Sequence, residues 1–184
     1  MNLDGSNNVK ITSTPKSEST ARWISDSQIV YMRGGKLYTA TLSGTTLSAE
    51  AEVAGGEGME GFELSPAGNK IMFVKSVKAA VKPVDVYPDL QKSSGRTYTD
   101  LMYRHWDHYV ESIQHPFVAA VDGDKIASDM QDILVGEPYE CPMEPFGGME
   151  QLAWSIDSKQ IAYTCRKKVG LAYSISTDSD IFLY

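Results

Sequence analysis

Two cysteines and three histidines in 184 residues leave little material for a disulfide framework or a metal cage. Cys165 follows Tyr163 in an apolar strand and reads as a small buried hydrophobe, while Cys141 lies in a loop between Tyr139 and Pro142. A single Cys141–Cys165 bridge is possible, and the sequence leaves it open. No apolar run approaches the roughly 18 residues of a membrane-spanning helix. Nor does Met1 lead into a signal peptide, since Asn2-Leu3-Asp4-Gly5 is a polar turn sequence. Positive charge is also scarce: 17 basic residues against 24 acidic ones give a formal net charge of −7. The basic residues are scattered, and their one cluster, Arg166-Lys167-Lys168, is expected at a solvated hairpin tip. Without clustered Lys and Arg to meet phosphates, nucleic acid is excluded as a partner. No ligand set for a metal or a cofactor is evident, so neither is expected.

What remains is ample for a folded chain. A 42% hydrophobic content with 10% aromatics describes a globular, β-rich protein and not a disordered one. Its most informative feature is a repeated phrase. Trp154-Ser-Ile-Asp-Ser-Lys-Gln-Ile-Ala-Tyr163 matches Leu64-Ser-Pro-Ala-Gly-Asn-Lys-Ile-Met-Phe73, and Trp23–Tyr31 is a version one residue shorter. Each copy passes from a large apolar residue through a Ser/Asp/Gly/Pro turn to an apolar-x-aromatic alternation, which puts Ile and aromatic on one strand face. Gly68 tolerates positive φ, and Asp26, Asp157 and their serine neighbours can bond their own backbone. Each copy therefore predicts strand, hairpin turn, strand. Trp23 and Trp154, with Ile29, Ile71, Ile161, Tyr31, Phe73 and Tyr163, are expected to pack in the core.

Copies one and two are about 40 residues apart, the length of one four-stranded propeller blade, and copies two and three about 90 apart. Residues of about 77–115 break the strand rhythm, which favours one blade with a long insertion over two blades. The fold class is all-β: a partial β-propeller of four-stranded antiparallel, WD-repeat-like blades with one irregular or helical insertion. The expected parts are a blade fragment at 1–20, a blade at 21–57, a blade at 58–148 carrying the insertion, and a truncated blade at 149–184. Outer strands are expected at Lys36–Leu42 and Phe117–Val121, with further strands at Val9–Thr12 and Ser179–Tyr184. Both chain ends fall in mid-blade, so a fragment is expected. Its open blade edges would favour self-association.

Pro145-Phe146-Gly147-Gly148-Met149-Glu150-Gln151-Leu152-Ala153-Trp154-Ser155, continued by Ile161-Ala162-Tyr163-Thr164, resembles the propeller of bacterial dipeptidyl aminopeptidases and acylaminoacyl peptidases. These are serine peptidases of the prolyl oligopeptidase class. Asp100-Leu101-Met102-Tyr103-Arg104-His105-Trp106-Asp107 and Ser176-Thr177-Asp178-Ser179-Asp180-Ile181 resemble the same group. The resemblance implies a non-catalytic propeller portion of a serine exopeptidase that releases dipeptides or blocked residues from short peptides. That propeller would restrict access to a chamber, in a parent commonly exported to the periplasm or secreted. In such enzymes the Ser, Asp and His lie on an α/β-hydrolase domain, the Ser on a G-x-S-x-G elbow. No G-x-S-x-G occurs in this sequence, so the chain by itself is expected to be inert and to need that catalytic domain as its partner. The alternative is a stand-alone periplasmic propeller that binds a protein or a glycan.

Four residues stand out as candidate substrate contacts. Glu150 follows Gly147-Gly148, and by resemblance a propeller carboxylate there could hold a peptide's free ammonium. Glu60, in the analogous Gly58-Met59-Glu60-Gly61, is a second choice. Both could instead cap turns at the start of inner strands. Arg104 and His105 sit in the dense Arg104-His105-Trp106-Asp107-His108 cluster, which suits either a short amphipathic helix or a chamber lining.

Overall fold

The ten-residue phrase folds as strand, turn, strand in all three copies. In this computed structural model, which describes residues 4–96, 109–122 and 124–184, the first copy joins β1 (Glu18–Trp23) to β2 (Gln28–Arg33). Two further hairpins add β3 (Lys36–Ser43) and β4 (Thr46–Glu52), giving a four-stranded antiparallel sheet in sequence order. The second copy joins β5 (Gly61–Leu64) to β6 (Lys70–Lys78). A segment whose described residues include one short helix, α1 (Pro83–Val86), intervenes before β7 (Ser112–Asp122). Then come β8 (Lys125–Ile126) and β9 (Gln131–Asp132). These strands form a five-stranded sheet in the order β5-β6-β7-β8, with β9 also paired to β7. The third copy joins β10 (Leu152–Trp154) to β11 (Ile161–Cys165), and after α2 (Gly170–Ile175) the chain adds β12 (Asp180–Leu183). The architecture of the described residues is thus nearly all-β, in three antiparallel sheets of three to five strands.

Serine organises the turns of the two full-length copies in the same way. Ser65 N–H donates to Lys70 O at 2.9 Å, and Ser155 N–H to Gln160 O at 2.9 Å. The same serines accept at Oγ from the backbone N–H of Lys70 at 3.1 Å and of Gln160 at 2.9 Å. Three residues after each serine the backbone turns left-handed, at Gly68 (φ 71°) and Ser158 (φ 61°). The shortened first copy closes differently, with Ile24 N–H on Gln28 O at 2.8 Å.

Two compact units are present: Met1–Phe73 with Val118–Met130, and Val74–Phe117 with Gln131–Tyr184. In the first, Ile29, Tyr31 and Ala40 pack with Tyr38 and Leu47 on one face of the β1–β4 sheet. Phe62, Ile71, Met72 and Phe73 are fully buried. Successive residues of β6 point to opposite faces, and Ile71, Met72 and Phe73 are all buried, so the strand is covered on both faces there. In the second unit the core includes Leu134, Cys141, Leu152, Ile161, Tyr163, Cys165 and Tyr173.

Three expectations need correction. Trp23 is 62% exposed and not core, since it ends an edge strand just before the shortened turn; Trp154 is only half-buried. Residues 9–12 form no strand, because the edge of β2 is taken by β1, whose Glu-Ser-Thr-Ala-Arg-Trp sequence shows little apolar signal. Arg166-Lys167-Lys168 is not a solvated hairpin tip. Arg166 is buried beneath Tyr173 of α2, Lys167 lies over the Phe182 ring at 4.2 Å, and Lys168 pairs with Asp178 at 2.6 Å.

Candidate functional site

The loop from Cys141 to Gln151, in the second unit, presents the predicted carboxylate. It is anchored at one end by Cys141 N–H on Gln114 O at 2.9 Å, next to the fully buried Pro142. Peptide bonds Cys141-Pro142 and Glu144-Pro145 are cis. At the other end Gln151 reaches back, its Oε1 accepting Met143 N–H at 2.8 Å. Gly147 N–H closes the inner turn on Met143 O at 2.8 Å. A Cβ on Gly147 would sit 2.4 Å from Met143 O and 2.6 Å from Gln151 Oε1, so only glycine permits this approach. The loop ends in a 3-10 turn, Met149–Gln151, that runs straight into β10.

Two side chains stand out from this scaffold. Phe146 is 89% exposed, and Glu150 is exposed. Glu150 Oε1 accepts the Gly148 N–H at 2.7 Å, which fixes the carboxylate against the Gly-Gly turn and leaves lone pairs for a further donor. An exposed carboxylate with an aromatic ring nearby in sequence suits a cationic ligand group. Glu150 thus caps its own turn, one of the two readings open for it, and is exposed to solvent. Glu60 is exposed as well, after the buried Met59, and belongs to the first unit. Arg104 and His105 lie outside the described residues.

A buried polar group that the sequence did not single out belongs to the second unit. Glu140 is 3% exposed and accepts a short hydrogen bond from Tyr173 Oη. The Arg166 guanidinium lies 4.4 Å from the Tyr173 ring centroid, and its Nη1 donates to Tyr173 O at 3.4 Å. Cys165 Sγ bonds Glu140 O at 3.5 Å. His115, 3% exposed, pairs through Nδ1 with Asp132 at 2.9 Å, and Asp132 also accepts Leu134 N–H at 2.8 Å. The only advance signal for the glutamate–tyrosine pair was a charged residue beside Cys141, too common a feature to read.

Cys141 and Cys165 are both free and buried. Burial pushes the Cys141 thiol up to about 12 and that of Cys165 up to about 11, so both stay protonated near neutrality. Among the described residues no group of three or more His, Cys, Asp or Glu could hold a metal ion, and no helix is long and apolar enough to cross a membrane.

No family model matches the chain. Individual proteins do. The whole chain aligns with dipeptidyl-peptidase 5 of Porphyromonas gingivalis at 44% identity and with dipeptidyl-peptidase 5 of Porphyromonas endodontalis at 38%. In each case it spans 27% of the relative's length. A probable dipeptidyl-peptidase 5 of Arthroderma benhamiae is 29% identical over 95% of the chain and 26% of its own length. The chain therefore corresponds to about a quarter of the dipeptidyl peptidases that it matches.

Proposed function

We infer that this chain is the non-catalytic, propeller portion of a dipeptidyl peptidase, where it admits short peptides and holds their free N-terminus. The observation that carries this reading is the 44% identity along the entire chain to a protein named for dipeptide release. The three strand–turn–strand repeats and their sheets support the propeller architecture, with successive sheets as blades. Glu150 is the ammonium anchor. Its loop is pinned by Met143, Gln151 and two glycines, so the carboxylate is pre-positioned and loses little entropy on binding. In a chamber shielded from water, a carboxylate–ammonium bond is worth more than the same pair on an open surface. Glu60 is the second candidate anchor, and Arg104 and His105 are assigned to the chamber lining by resemblance. Hydrolysis itself is assigned to a serine on a separate α/β-hydrolase domain.

The test is Glu150→Gln in the full-length peptidase. Cleavage of dipeptide substrates with a free amine should fall about 10- to 100-fold in kcat/KM, the loss of one charge-assisted hydrogen bond. N-acylated substrates should be unaffected. Equal losses on both substrate types would remove Glu150 from this role.

A further inference from the structure

The first unit contains a cleft that the peptide-binding role leaves unused. Its walls are joined at two places. Arg22 Nε meets Glu63 Oε2 at 2.7 Å. Elsewhere Ala54 N–H donates to Asp124 O at 3.1 Å, and Ala54 O accepts Ile126 N–H at 2.9 Å. Among the described residues lies a cleft of about 390 Å³, lined by side chains of both sheets. That volume falls within the range of small-molecule sites, about 300–1,000 Å³. It is more than twice the roughly 150 Å³ apolar cavity known to admit benzene.

The lining specifies a chemistry. Leu37 and Val53 face it from one side, Ile71 and Ile126 from the other, and all four are at most 4% exposed. An apolar floor of this kind gains from displacing water by a hydrocarbon or aromatic body. Gln28, Thr39 and Asp124 are its polar side chains, and because Gln28 and Asp124 are exposed they stand at its mouth. No Lys, Arg or His is among the lining residues, so nothing there would neutralise an anion, whereas Asp124 attracts a cation. The lining of Ile71 and Ile126 is held in place by Val121 N–H on Asn69 O at 3.0 Å and Ala127 N–H on Ala120 O at 3.0 Å.

We propose that this cleft is a binding site for a compact apolar or aromatic primary amine, its body on the Leu37–Ile71 floor and its ammonium at Asp124. The probes are 2-phenylethylamine and its charge-reversed counterpart 3-phenylpropionate, titrated into the full chain and followed by backbone amide NMR. The amine should bind saturably, with a Kd of about 0.1–5 mM for so small a ligand. Its shifts should map to β2, β3, β6 and the Val121–Ile126 strands. The carboxylate should bind at least about tenfold more weakly. Asp124→Asn should abolish that preference while leaving the spectrum otherwise intact, and Val121→Trp should block the cleft and remove binding of both probes. No saturable shift up to about 10 mM, shifts mapping elsewhere, or equal affinity for the two probes would overturn the proposal. So would an Asp124→Asn variant that keeps the amine preference, and this arm decides the matter if Val121→Trp does not fold. Glu150→Gln should leave the titration unchanged, which keeps this site's test separate from that of the peptide anchor.

Discussion

Arg33 is the most heavily engaged side chain on the β1–β4 sheet. Its Nη1 and Nη2 donate to the two Glu50 oxygens at 2.6 and 2.8 Å, and its Nε donates to Glu18 at 3.0 Å. The guanidinium also stacks 5.3 Å from the Tyr31 ring and 5.1 Å from the Tyr38 ring, and Tyr31 Oη donates to Glu50. The Arg33 hydrogen bond, helped by that of Tyr31, holds the Glu50 carboxyl below its usual 4.5. Since the folded value is the lower one, the stabilisation is complete above pH 4.5 and disappears as pH falls through the folded value. The urea midpoint of the chain should therefore drop on acidification below that point, and Arg33→Met should make the drop shallower. An unchanged pH dependence in the variant would show that the pair contributes nothing to acid stability. None of this was legible beforehand. Arg33, Glu50 and Glu18 become neighbours only once β1 to β4 register, and a charged residue on a strand announces an exposed face without its partner.

The repeated turns show the opposite case. Ser65 and Ser155, Gly68 and Ser158 occupy matching places because the phrase encodes a six-residue reversal closed on a serine hydroxyl. Sequence comparison within the chain revealed that unit, including a Gly68 that tolerates positive φ. A Cβ at Gly68 would meet nothing within 4 Å, so the cost of Gly68→Ala is confined to the backbone. It should amount to about 1 kcal/mol, read as a lower urea midpoint with an unchanged slope. A variant as stable as the parent would mean that the turn relaxes to another conformation. The basic triplet after β11 misled for a physical reason: the burial of Arg166 depends on α2, which delivers Tyr173 over it. A helix of six residues leaves too short a periodic pattern to read.

In the molecule as a whole, the all-β architecture followed from repeat and alternation, whereas the division into two units did not, because β6 and β7 each supply residues to both. The candidate site was legible in part. Glu150 was located by its Gly-Gly approach, but the Gln151 side chain that braces the loop could not be distinguished from any surface glutamine. The thiols give a readout of the second unit's packing. Both are buried, with titration pushed far above neutrality, so at about pH 8 an aromatic disulfide reagent should label neither cysteine in native protein. Two should react per chain in denaturant. A fast native reaction at either position would contradict the packing around Glu140 and Tyr173.

The β1–β4 sheet has one more consequence. Every strand in it pairs with the one made immediately before or after it, and its ladder is complete by Glu52. Such a meander has low contact order, so little loop entropy separates the extended chain from the paired one. It can close while later residues are still being synthesised, and would then stand as a finished surface on which the next strands assemble.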